Sequence, residues 1–141
     1  MPTKKINLYI PIEQKVREFV STILLSNIAI DNNFRCYVGS KRKIHKLISK
    51  NQKPEGIYLS KSLLTETEYR VIKKGCEKIV ILDHEMGPAC SPEEIEEGMR
   101  SQINLLHESY IDRYYVVGMN FYEVCKKVYG TLGERIKLTG W

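Results

Sequence analysis

The sequence predicts an α/β domain of the Rossmann-like kind: a mainly parallel sheet of five or six strands with helices on both faces. Three observations carry that expectation. Apolar, β-prone runs alternate with helical-period segments along the whole chain. Successive strands recur at roughly 25–35 residues, the size of right-handed βαβ units. No linker, low-complexity segment or repeat interrupts the 141 residues, so residues 1–141 read as one domain.

The first strand is "INLYIPI", which stops at Glu13. Val16, Phe19, Val20, Ile23, Leu24 and Ile28 then recur at helical spacing and predict a long helix with that face buried. "FRCYVG" follows as a strand, Phe34, Cys36 and Val38 facing one way, and a short basic helix carries Ile44, Leu47 and Ile48. "GIYLSKS" is the third strand. Thr65 and Glu68 form a capping box, and Lys73, Lys74 and a C′ Gly75 close the next helix. "KIVILD" is the fourth and most apolar strand, and Ser91-Pro92-Glu93-Glu94 caps the following helix. "RYYVVG" is the fifth. Asn120 and Glu123 are expected to cap a helix bearing Phe121, Val124, Cys125 and Val128, and "RIKLTG" ends the pattern as a sixth strand.

Composition bounds the function. With 43% hydrophobic and 28% charged residues, the chain has the balance of a folded protein and not of a disordered one. No apolar run approaches the ~20 residues that span a bilayer, and no cleavage site follows the basic start, so a cytoplasmic protein is expected. Cys36, Cys76, Cys90 and Cys125 are widely spaced, which disfavours a zinc site or a disulfide framework. Residues 1–80 carry 16 Lys/Arg against 7 Asp/Glu, whereas residues 81–141 carry 6 against 10. A basic half suits an anionic partner such as a phosphorylated sugar, a lipid surface or nucleic acid; on charge alone, solvated helix faces are the preferred explanation.

In an open parallel sheet, ligands bind beyond the strand carboxyl ends where the strand order reverses. An order of 3-2-1-4-5 puts that crevice between the first and fourth strands. The loops leaving them present Glu13 from "PIEQK" and Asp83, His84 and Glu85 from "DHEMGPA". Such carboxylates are candidate catalytic residues, able to orient or deprotonate a hydroxyl. The alternatives are a helix-dipole acid at Glu13, a turn or cap at Asp83 and a solvated His84. Asp83-x-Glu85 is only a loose metal motif, so no metal is expected. Other strand ends offer Gly39, Ser40 and Lys41, then Ser60, Lys61 and Ser62, then Gly118 and Asn120. Small residues admit a close backbone approach, and hydroxyls with a lysine hold phosphate or sugar oxygens. The absence of G-x-G-x-x-G and of G-x-x-x-x-G-K-[ST] argues against ordinary dinucleotide and P-loop chemistry.

Taken in order, "YIPIEQKVREF", "VGSKRKI", "GIYLSKS", "ILDHEMG" and "VVGMNFYEVCKK…RIKLTGW" resemble the N-terminal domain of the bacterial surface carbohydrate biosynthesis proteins, from about Asn7 to Trp141. That family looks like GT-B glycosyltransferases, two Rossmann-like domains around a cleft, with acceptor held by the first and donor by the second. By position, Glu13, Lys15 and Arg17 match the family's first-loop segment, and Gly39, Ser40 and Lys41 its second. Asp83, Glu85 and Gly87 match an "LDEEG"-like segment in which His84 here replaces an acid.

The resemblance implies the acceptor-side half of a metal-independent glycosyltransferase for O-antigen or capsule-like polysaccharide. Its partners would be an activated sugar donor as substrate, a glycan or glycolipid acceptor and a C-terminal donor domain, with no cofactor and no nucleic acid. Peripheral association with the inner membrane would suit a lipid-linked acceptor. Without the donor domain the chain is expected to be catalytically silent. A sugar-nucleotide epimerase half shares the architecture, and a small α/β module binding a nucleotide or partner is the non-enzymatic alternative.

Overall fold

A computed structural model describes residues 4–83, 91–102 and 105–139. Its strands are β1 (Ile6–Ile12), β2 (Phe34–Ser40), β3 (Ile57–Ser60), β4 (Lys78–Leu82), β5 (Arg113–Val117) and β6 (Ile136–Thr139). They form an open parallel sheet in the order β2-β1-β3-β4-β5-β6. The helices are α1 (Lys15–Asp31), α2 (Lys41–Ile48), α3 (Glu66–Gly75), α4 (Pro92–Gln102), α5 (Leu105–Glu108) and α6 (Met119–Val128). Among the described residues, no helix is long and apolar enough to cross a membrane.

The six strands fall where the apolar runs placed them, but the expected order 3-2-1-4-5 does not form. β1 pairs in parallel with β2 through Ile6↔Phe34 to Ile12↔Ser40, and with β3 through Leu8↔Ile57 and Tyr9↔Tyr58. Both edges of β1 are taken, so the fourth strand is not its neighbour and the crevice proposed between them dissolves. Gly56 admits β3 to that place. Its φ is +79°, and a Cβ there would come within 2.5 Å of the Asn7 carbonyl oxygen. Only glycine meets both demands.

Residue contacts divide the chain into two compact units: Met1–Leu59 with Arg70–Lys78, and Ser60–Tyr69 with Ile79–Trp141. In the first, α1 links β1 to β2 in one direction and α2 leads back past β1. Right-handed crossovers therefore set these helices on opposite faces. Leu8, Ile10 and Ala29 form the core under α1, with Leu25, Phe34, Cys36, Val38, Ile57 and Leu59 packed against them. Under α2 lie Tyr9, Tyr58, Ile44 and Ile48, with Tyr9 stacked on Tyr37 at 5.1 Å. The polar tips there are satisfied: His45 Nε2 is 2.9 Å from the Tyr58 hydroxyl, and the Asn51 amide donates to the Tyr9 hydroxyl and the Gly75 carbonyl.

The orientation of α1 reverses the expectation. Its buried residues are Thr22, Ser26 and Ala29. Val16, Phe19, Val20, Ile23, Leu24 and Ile28 are all exposed, from 39% for Ile23 to 99% for Val16. Small side chains let the helix lie close on the sheet, and the Ser26 hydroxyl donates to the Thr22 carbonyl, so burying it costs little. Helical period identified the apolar stripe; it cannot say whether the stripe meets this sheet or another surface.

Two terminal assignments are also corrected. Gly75 is the last residue of α3 and not a left-handed C′ residue; a Cβ there would collide with the Ile48 carbonyl, so its role is close approach. α6 starts two residues early, with Gly118 (φ +83°) as N-cap, leaving Asn120 inside the first turn and no side-chain cap.

In the second unit Ile81, Tyr114 and Ile136 align across β4, β5 and β6 on one face. That face packs with Met99, Cys125 and Tyr129, all buried. The capping boxes form as expected: Thr65 and Glu68 exchange bonds at α3, and Ser91 and Glu94 exchange them at α4.

Candidate functional site

The in-register pairing of β1 and β2 brings their carboxyl ends together at Ile12 and Ser40. After β1 the chain turns through Glu13 and Gln14 into α1, and the Glu18 carboxylate accepts both backbone N–H groups, at 2.9 and 3.0 Å. This reach back across the first turn fixes the direction in which Glu13 leaves the strand. β2 has no such loop, and Ser40 is itself the N-cap of α2, with its hydroxyl making no capping bond.

Two of the expected residues meet here. The Lys41 ammonium lies 3.2 Å from Glu13 Oε1, with the two side chains 31% and 38% exposed. α2 opens on Lys41-Arg42-Lys43 and has no acid in its first turn. Three cations at the positive end of a helix oppose its dipole, each by about 0.3–1 kcal/mol. An anion seated at the N-terminus would reverse that penalty, with the backbone N–H groups as donors. The arrangement couples a half-exposed carboxylate to a surface that attracts negative charge. Gly39 precedes this turn, and the Cβ of a larger residue would touch Ile44 only at ordinary distances, so packing does not demand glycine there. Lys15 reaches over the Phe19 ring at 5.7 Å, and Arg17 donates to the Gln14 side chain. The structure thus turns both into the surface of the first α1 turn.

The remaining expected residues belong to the second unit or lie outside the described residues, as His84, Glu85 and Gly87 do. Asp83 is 5% exposed. Its backbone N–H donates to the Tyr115 carbonyl, and the Tyr114 hydroxyl donates to its carboxylate at 2.7 Å. Burial, reinforced by that negative charge, holds the Tyr114 hydroxyl far above its usual range. The Cys125 thiol is pushed up to about 12, by burial first and Asp83 second. Asp83 is thus the electrostatic centre of a packed interior. Ser60 is also buried, its hydroxyl donating to the Ser62 carbonyl at 2.7 Å, which ties the turn after β3. Lys61 is half-buried in that turn. Gly118 and Asn120 stand where β5 passes into α6, a turn that needs the positive φ.

A concavity of about 570 Å³ lined by Lys50, Asn51, Gln52, Lys53 and Glu55 precedes β3. It is at the amino end of that strand, the wrong end for ligands of a parallel sheet. Among the described residues, no group of His, Cys, Asp or Glu is placed to hold a metal ion.

Sequence reasoning missed Glu18 and Tyr114. An acid within one turn of a strand's end was a usable signal for the first; nothing in spacing pairs Tyr114 with Asp83, 31 residues away. No known protein family, curated protein or solved structure matches the chain.

Proposed function

We propose that this chain is the acceptor-side part of a bacterial surface-polysaccharide glycosyltransferase, working at the carboxyl ends of β1 and β2. The observation that carries the reading is the Glu13–Lys41 pair beside the cation-rich start of α2. The ordered motifs from "YIPIEQK" to "RIKLTGW" support it as a resemblance. In this reading an acceptor hydroxyl inserts at Glu13, whose carboxylate orients it and takes its proton as the sugar is transferred. Lys41 and the α2 N-terminus hold an anionic group of the acceptor or donor. An activated sugar is the donor substrate, and a further domain stabilises its leaving phosphate. Asp83, 5% exposed and accepting from the Tyr114 hydroxyl, is the second candidate acid in this reading.

The strand order supports a second reading. A 2-1-3-4-5 order is that of flavodoxin-like sheets, whose members include small binding modules. By that fold-level analogy alone, the same cationic surface serves a non-enzymatic anion-binding module. The test is to incubate the complete natural chain with a panel of sugar donors and acceptors and score transfer by mass spectrometry. Transfer that Glu13→Gln abolishes supports the enzyme. Phosphate or nucleotide binding, weakened by Lys41→Ala and accompanied by no transfer, supports the module.

A further inference from the structure

The exposed stripe on α1 carries an internal symmetry. Arg17, Leu24 and Asp31 are each seven residues apart and therefore share one line along the helix. All three are exposed, and Leu24 lies midway between a cation and an anion. Val20 and Ile28 flank that line four residues to either side of Leu24, and Val16 lies eight before it, exposed by 78%, 54% and 99%. Exposing so many large apolar groups on one helix marks a surface that another molecule covers.

We infer that α1 pairs with α1 of a second copy of this chain, antiparallel about a two-fold axis at Leu24. A two-fold contact uses the same patch twice, so every residue must suit its own mirror position. Here Leu24 meets Leu24, Val20 meets Ile28, and Ser21 meets Asn27. Arg17 of each helix meets Asp31 of the other, roughly 21 Å apart along each helix, so both ends of the contact are matched in charge. A parallel pairing would set Arg17 against Arg17 and Asp31 against Asp31. The row of side chains four apart is also the ridge that packs into a matching groove on a facing helix.

An anionic lipid surface fits the same stripe poorly. α1 is neutral overall, with Lys15 and Arg17 against Glu18 and Asp31, and the exposed line ends on an acid. The strongly basic helix α2 is on the opposite face of the sheet, turned away from any surface that α1 would touch.

A single helix pair lies at the low end of the ~1,200–2,000 Å² buried in stable interfaces, so the dimer should depend on concentration. Sedimentation equilibrium of the 141-residue chain, from roughly 1 μM to 1 mM, reads this directly. The expected mass rises from 16.4 kDa towards twice that value. Leu24→Asp should remain a monomer with an unchanged circular dichroism spectrum, since the residue is 62% exposed. Arg17→Asp and Asp31→Arg should each weaken dimerisation by at least about tenfold, and the double exchange should restore it. A monomer throughout the concentration range overturns the proposal, as does a dimer that survives Leu24→Asp or a double exchange that fails to rescue. So does a monomer that co-sediments with phosphatidylglycerol vesicles and binds them more tightly as Asp31→Arg.

Discussion

The two units of this chain differ more in chemistry than in secondary structure. The first carries 15 Lys/Arg and 5 Asp/Glu; the second carries 7 and 12, giving net charges of +10 and −5. In the first, Glu13 after a strand and Lys41 at a helix start meet in water's reach. The second buries an acid: Asp83 sits under Tyr114, with Cys125 and Tyr129 close enough for its charge to raise both. A carboxylate at a strand end can serve a ligand or hold a core together, and burial decides which.

That contrast can be broken most decisively at Glu13. In the complete natural chain, Glu13→Gln should lower turnover by about 10²–10⁴-fold while changing stability by less than about 1 kcal/mol, read by steady-state kinetics and thermal melting. Normal turnover would take Glu13 out of the reaction and leave the pair a surface contact.

The next largest effect is on stability, in the second unit. Tyr114→Phe leaves the buried Asp83 carboxylate without that donor and should cost about 2–3 kcal/mol in urea unfolding. Tyr58→Phe removes the comparable bond to His45 in the first unit. Because that bond is partly buried and involves no carboxylate, its loss should cost nearer 0.5–1.5 kcal/mol. Equal costs would erase the difference between the units. Gly75→Ala should also destabilise, by about 1–3 kcal/mol, because its Cβ collides with the Ile48 backbone.

The smallest effect is one of pH. Burial pushes the Glu108 carboxyl up, and the nearby Arg135 guanidinium only partly reverses that. The folded chain therefore holds this proton more tightly than the unfolded one. Its contribution is complete below the ordinary glutamate range and is lost as pH rises through the raised value. Glu108→Gln should flatten that part of the stability–pH curve, and an unchanged curve would show that another group titrates there.

Much of this protein was legible from local pattern. β1 to β6 each coincide with a β-prone run, because apolar or alternating patterns of strand length are a local signal. The two capping boxes formed, since their bonds involve residues three apart and need no tertiary partner. At the candidate site, Glu13 and Lys41 were each picked out by their place after a strand. Their meeting follows from β1–β2 register, which neither segment encodes alone.

What the sequence determined by itself is the set of elements, the parallel α/β class and the residues at each strand end, all of which depend on local periodicity and turn chemistry. Tertiary structure alone decided that β3 lies beside β1, that α1 turns its small polar side inward, and that Asp83 is sealed beneath Tyr114. Each of these is a choice between surfaces of similar hydrophobicity. Only the complete packing, with Gly56 against Asn7 and Ser26 beside the sheet, distinguishes the alternatives.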